Sequence, residues 1–518
     1  MNNAKNIFRT LLLFGLVAIA PSKLSAQNAN DEYELFKQLI NQEFNSAKQS
    51  HKKTFNSSRD SLNTLFSQHL QGAWADFKMD EKIEAPIKPE PKPIVDHSPV
   101  TTSKPLPFTP PVVAEEKPVE KPVAKPVEQT VDKPAEKPAE KPAEKPAPLA
   151  PIKAEPKPDA NIFAFNFYGA RCEVHMPASK LRMYDTSKKH ISEAWDTLSS
   201  GEFDQFLVDC QTYQKKLNLC DWGVYQFVNQ FSKAYFGSAD QNESVIFQMF
   251  ALSQLGYKIR LASQESRLIS LISFKQELFS VPFVTIEGNK FYYLSSRPMR
   301  GSIQLCEFAF PSERSASLRL SSLPNLPYTP SGERLVKSEA FPSVATTVNV
   351  NKNLINFLDT YPSCSWDIYA SASLSPTMKK QLYPILKEKI SGATEKNAVN
   401  ILLNFVQTAF AYKTDGEQFG REKIFFGDEP FFYPYCDCED RSILFAILVR
   451  DLVGLDVVLL DYPSHIATAV LFNEDVMGDY LAVNGRKYII CDPTYIGASI
   501  GKSMPDMQNL KANILRIN

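Results

Sequence analysis

From residue 161 onward, apolar positions fall into two rhythms. The runs 162–168, 281–286 and 290–294 alternate as strands do, while 194–216, 222–234 and 243–255 carry apolar residues at helical spacing. Together they predict a mixed α+β architecture. The segment 319–350, rich in Ser, Pro and Thr, reads as β or loop. A second block starts near 377 with helices 378–390 and 396–412 and continues to the end of the sequence. Within it the helix 441–452 is apolar on most sides, so it must be buried, and Gly454 stands where a helix-terminating glycine belongs. Strands then follow at 457–460, from His465 to Val470, at 480–483 and at 487–491, the last closed by Asp492-Pro493-Thr494.

The N-terminal third is patterned differently. Aromatics recur every eleventh position at Tyr33, Phe44, Phe55, Phe66 and Phe77, which on a helix gives a nearly straight stripe, joined by Phe36, Ile40, Leu62 and Trp74. A long amphipathic helix over 27–85 is expected, serving in self-association or in docking to the protein's own globular part or to another envelope protein. Residues 86–158 are dominated by Pro, Lys, Glu, Ala and Val, with Lys-Pro-Ala-Glu repeats from Lys133 to Glu144. Such a segment buries too little apolar surface to fold and reads as a disordered, polyproline-II-like spacer with a reach on the order of 200 Å at about 3.1 Å per residue. Ahead of both, Lys5 and Arg9 precede the apolar run 11–20 and the small residues Ser25 and Ala26. This pattern predicts a cleaved signal peptide over 1–26 and a location outside the cytoplasm, periplasmic or secreted, with an uncleaved anchor as the competing reading.

Composition narrows the classes. A net charge of −1 gives no reason to expect nucleic acid or an anionic membrane as the main partner, and no later segment is long enough to span a membrane. The eight cysteines are too sparse for a disulfide scaffold and are expected to be mostly small buried residues.

Candidate chemistry concentrates in the last block. Cys438 opens the buried helix, where the helix dipole favours a thiolate and backbone N–H groups can receive an oxyanion. His465 heads a strand and is the only histidine after His190, and Asp492 ends a later strand. A thiol, an imidazole and a carboxylate in this order can serve as nucleophile, base and orienting acid. Each has a plainer reading: a buried or bridged cysteine, an exposed histidine, an aspartate in a turn. Cys436 raises a Cys-x-Cys metal site, but with only Cys491 and His465 to add, zinc lacks its usual ligands. No metal and no cofactor are expected.

Asp437-Cys438-Glu439-Asp440 before a buried helix, Arg450 and Gly454 behind it, then a histidine strand and a strand ending Asp-Pro-Thr, resembles the core of the transglutaminase-like (papain-like cysteine hydrolase) superfamily over 377–518. The resemblance implies a helix packed on an antiparallel sheet, with the triad Cys438, His465 and Asp492. It also implies that the preceding segment lines an acyl-donor cleft, where Gln418 either assists the oxyanion or is a polar residue in a surface turn, and Tyr433 and Tyr435 either face substrate or pack. The 159–376 region is read as a second α+β domain. Its stretch Asp240 to Gly256 equals Cys438 to Gly454 in length but lacks the cysteine and any following histidine, so it reads either as a degenerate copy of the same core or as an ordinary recurrence of helix, glycine and strand. The expected function is cleavage or transfer of a peptide or protein amide through a thioester acyl-enzyme. The alternative is a non-catalytic envelope scaffold that binds peptides or glycans.

Overall fold

The computed structural model describes residues 57–80, 82–84, 108–109 and 161–517, apart from Ser296, Arg300 and Ser464. The predicted signal peptide, most of the predicted long helix and nearly all of the Pro-rich spacer lie outside the described residues. Contact density divides the chain into 1–66 and 67–518. In the first unit the described residues, 57–66, are helical.

In the second unit the helix ends at 71, and the Gly72 N–H donates to the His69 carbonyl at 2.9 Å. Ala75–Lys78 is a strand paired with Ser302–Cys306, with Phe77 opposite Ile303. This corrects the expected helix over 27–85. Glycine disfavours helix continuation by roughly 1 kcal/mol relative to alanine, and the alternating exposure of residues 75–78 lets Phe77 pack on the core of that sheet. The expected helix over 194–216 is likewise two helices, Lys188–Ser199 and Asp204–Lys216, separated at Gly201 with φ +88°.

The architecture is mixed α and β, built around two six-stranded sheets. The first runs, in spatial order, Phe283–Ile286, Asn289–Tyr292, Arg267–Ser273, Ile259–Gln264, Ser302–Cys306, Ala75–Lys78. The second runs Tyr480–Val483, Arg486–Cys491, His465–Leu471, Asp456–Tyr462, Ala512–Arg516, Phe108–Thr109. Taken in chain order, the five strands after each central helix occupy the same places. Only the sixth differs: Ala75–Lys78 joins antiparallel and Phe108–Thr109 joins parallel.

The match extends to register. Leu261 pairs with Ser270 and Leu459 with Thr468, both members displaced by 198 residues, and each hairpin closes on the corresponding pair, Gln264 with Arg267 and Tyr462 with His465. The helices that precede the hairpins, Asn242–Gln254 and Cys438–Leu452, pack on their own sheets and end before Gly256 (φ +87°) and Gly454 (φ +78°), also 198 apart. A side chain that wants φ < 0 would strain either turn.

The Cys438–Leu452 helix is the centre of the second core. From Ile443 to Val449 every residue is 0 % exposed, one side against the sheet and the other against Trp366–Ser371 and Glu395–Thr408. Burying each such large apolar side chain contributes about 1.5–3 kcal/mol, which explains why a helix with so little polar surface is stable only inside. Arg450 donates to the carbonyls of Ala370 (2.7 Å) and Ala372 (2.8 Å), so the residues just before 377 pack with the C-terminal block.

Candidate active site

The sequence Asp437-Cys438-Glu439-Asp440 folds as a capping box. Asp437 accepts from the Asp440 N–H, and the Asp440 carboxylate accepts from the Asp437 N–H at 3.3 Å. Asp440 also accepts from the Phe425 N–H at 2.9 Å, which pins the upstream loop to the helix start. Both aspartates are therefore used for capping, and Cys438 takes the first helical position, whose N–H has no intrahelical acceptor. Its thiol donates to Glu439 Oε2 at 3.3 Å.

His465 is the first residue after a tight hairpin, and Asp492 follows the strand paired beside it. The two meet through Nε2 and Oδ2 at 2.8 Å. Oδ1 of Asp492 accepts from the N–H groups of Thr494 (2.9 Å) and Tyr495 (3.2 Å), so both carboxylate oxygens are engaged and the imidazole faces an aspartate of fixed orientation. Burial pulls the imidazole toward its neutral form. The charge and hydrogen bond of Asp492, joined by the neighbouring Cys438 sulfur, outweigh it, and the His465 pKa is pushed up to about 10. With the thiol turned to Glu439, Nδ1 has no well-formed hydrogen bond among the described residues. Cys438, His465 and Asp492 thus lie together, 1 %, 1 % and 2 % exposed.

Several contributors escaped the sequence reading. Gln407, 2 % exposed, gives its amide to the carbonyls of Asp492 (3.0 Å), Tyr495 (2.8 Å) and Ala498 (3.0 Å), gathering the turn that holds the acid. Arg441, in the first turn after Cys438, donates to the carbonyls of Gln407 (3.1 Å) and Phe410 (2.8 Å) and lies over the Tyr412 ring. Tyr412 pairs with Cys436 across two short parallel strands. Burial raises its phenol pKa well above the usual range, and the charge of Cys438 adds to this. A buried glutamine on an amphipathic helix and an arginine in an otherwise buried one were visible signals for the first two.

Gln418 does not aim at Cys438. Its amide is spent on both backbone groups of Tyr435, donating to the carbonyl at 3.3 Å and accepting from the N–H at 3.2 Å, so it holds the short strand that leads into the nucleophile. Tyr435 is 37 % exposed with Lys413 over its ring. Tyr433 stacks on Phe425 beside the buried Lys423, which pairs with Glu429 at 2.8 Å, and this makes it a packing residue.

Among the described residues the sets dense enough to hold an ion are carboxylates, namely Asp415 with Asp437 and Asp440, and Asp415 with Glu422 and Glu439. Several of their oxygens are already used on backbone N–H groups, as with Lys423 on Asp415 at 2.7 Å. The eight cysteines are unbridged, and Cys436 is buried beside Arg441, its thiol pKa raised by desolvation against that arginine's opposing charge.

Family models, curated protein sequences and solved structures yield no match to this chain.

Proposed function

We propose that Cys438, His465 and Asp492 form a thiol acyl-transfer centre of transglutaminase-like type, acting on an amide of a peptide or protein. The observation that carries this is the 2.8 Å His465–Asp492 bond on a ring that also feels the Cys438 sulfur at the first residue of a buried helix. In the reaction the neutral form of His465, the minor one below its raised pKa, takes the thiol's proton at Nδ1 as the thiol turns from Glu439, giving a thiolate–imidazolium pair. The thiolate then forms a C–S bond to the carbonyl carbon, and the oxyanion is received by the Cys438 N–H at the helix start. The C–N bond breaks as the imidazolium protonates the leaving amine. Water, or an incoming amine, gives its proton back to Nδ1 and attacks the thioester, releasing acid or a new amide and restoring the thiol. Asp492 orients the ring and favours its charged form throughout.

The test is site-resolved iodoacetamide labelling across pH, with His465→Ala beside the parent protein. Cys438 should label well below the ordinary thiol pKa of about 8.5, and His465→Ala should abolish that advantage. A labelling profile with the pH midpoint of a free thiol, unchanged by His465→Ala, would remove the mechanism.

A second reading, a non-catalytic scaffold built on the same fold, is favoured by the near-complete burial of the triad and the carboxylate held against the thiol. Under it, amide-bearing partners bind equally to the parent and to Cys438→Ala, and no acyl-enzyme forms.

A further inference from the structure

The first sheet carries a cleft at the place where the second carries its triad. The 198-residue displacement puts Asp240 at the position of Cys438 and Arg267 at that of His465. The strand pairing Ile272 with Tyr292, against Val470 with Ile489, puts Ser295 at that of Asp492. These three residues line one pocket together with Gln248, Asn229 and Arg297. Thiol, base and acid are thus replaced by acid, cation and hydroxyl, and Arg297 adds a second guanidinium beside that of Arg267.

The pocket is accessible for a structural reason. Asp221–Phe236 and Glu395–Thr408 pack against the respective central helices in the same way, but residues 237–241 connect the first pair and 409–437 the second. The longer connection carries the buried Phe425, Phe426 and Phe431 and is pinned to the start of the Cys438–Leu452 helix by the Phe425 N–H on Asp440, and the five-residue connection has no counterpart. The inner pocket, about 40 Å³, shares Tyr225, Tyr293, Ser295 and Arg297 with a wider groove of about 550 Å³. That groove is walled by Trp222, Val281, Pro282, Pro298 and Met299, with the amide of Gln226 beside them.

We propose that this cleft binds a peptide chain by a carboxylate, seated between Arg267 and Arg297, with the neighbouring residues of the peptide in the wider groove, whose walls are mixed apolar and polar. Arg267 spends one N–H on Gln264 at 2.9 Å and has no carboxylate within ion-pair distance among the described residues. Arg297 is 47 % exposed and touches Asp240 at 3.6 Å, a loose contact that an incoming carboxylate can replace or share. The amide of Gln248, where the second copy has Ala446, is fixed by the Ala239 carbonyl at 2.7 Å and the Ser244 hydroxyl at 3.2 Å, so the polar floor is preformed. The start of the Asn242–Gln254 helix adds its positive end to the same pocket. The carboxylate is either a chain terminus or a glutamate side chain, and the inference does not depend on whether Cys438 reacts.

The experiment is calorimetric titration of the full chain with acetyl-Ala-Pro-Ala-Ala as free acid and as C-terminal amide, and with acetyl-Ala-Glu-Ala-amide beside its glutamine analogue. One acid of either pair should bind at least about tenfold more tightly than its neutral partner, the preferred pair identifying the source of the carboxylate. Arg267→Gln and, separately, the more exposed Arg297→Gln should each remove most of that preference without changing the thermal transition, while Cys438→Ala should leave it intact. Equal binding of acid and neutral peptides, absence of binding, or a preference that survives both arginine substitutions in folded protein would each overturn the proposal.

Discussion

Replacing Gln407 by leucine separates what the triad owes to its own residues from what it owes to their support. The Gln407 amide reaches three carbonyls, on Asp492, Tyr495 and Ala498, but carries two protons, so two strong bonds or one strong and two shared ones are available. Leaving buried carbonyls unpaired costs about 1–3 kcal/mol each. Oε1 has no partner among the described residues, so removing it returns part of that cost. A net loss of roughly 2–4 kcal/mol is expected, read as a lower urea midpoint at unchanged slope. The same variant loosens Asp492 and should lower the His465 pKa, moving the alkylation profile of Cys438 with it. Gln407→Glu is the sharper probe, because a carboxylate facing three carbonyls is repulsive and should be worse than leucine. If Gln407→Glu is tolerated, or Gln407→Leu costs less than about 1 kcal/mol, the amide does not hold the turn as described.

Further expectations concern charge and backbone. The His465 pKa is raised on folding, so its contribution to stability is full below about 6.5, the ordinary imidazole value, and is lost as pH rises through about 10. Asp492→Asn should remove most of this dependence between those limits in pH-resolved unfolding, and an unchanged profile would rule out the ion pair. Gly478 has φ +138°, and an added Cβ would stand 2.5 Å from the Gly501 Cα, so Gly478→Ala should cost at least about 2 kcal/mol by thermal unfolding while Gly485→Ala, whose added Cβ meets nothing within 4 Å, costs less. Arg441→Met leaves the carbonyls of Gln407 and Phe410 without that donor and should destabilise the protein by about 3 kcal/mol or more, measured against Arg421→Met on the surface.

What could be read from the residues was mostly what sits at element ends. Cys438, His465 and Asp492 each begin or follow an element, so a correct reading of helix and strand order was enough to bring them near one another. The likeness of the two sheets was visible only as an equal interval, Asp240 to Gly256 against Cys438 to Gly454, because strand order and register are properties of pairing and leave no local trace. Gln407 was visible as a polar residue on an amphipathic helix but not assignable to a role, and Tyr412 not at all, for a related reason: their partners lie far along the chain, and a buried glutamine on such a helix has many uses. Gln418 was misdirected because a side-chain amide near a nucleophile suggests an oxyanion donor, whereas here the backbone of Tyr435 competed for it and won. The aromatic spacing that suggested a helix through Phe77 fits a strand equally well once Gly72 has ended the helix.

The burial of Cys438 and His465 has a kinetic consequence. With Cys438 and His465 each 1 % exposed, any reagent or substrate must await a local opening, so the observed rate is the intrinsic rate multiplied by the fraction of molecules open. Two reagents of equal chemical reactivity but different size should then modify Cys438 at different rates, and mild denaturant should speed both before global unfolding begins. On the proposed function, such burial would keep Cys438 silent among other proteins until something that favours an open form arrives.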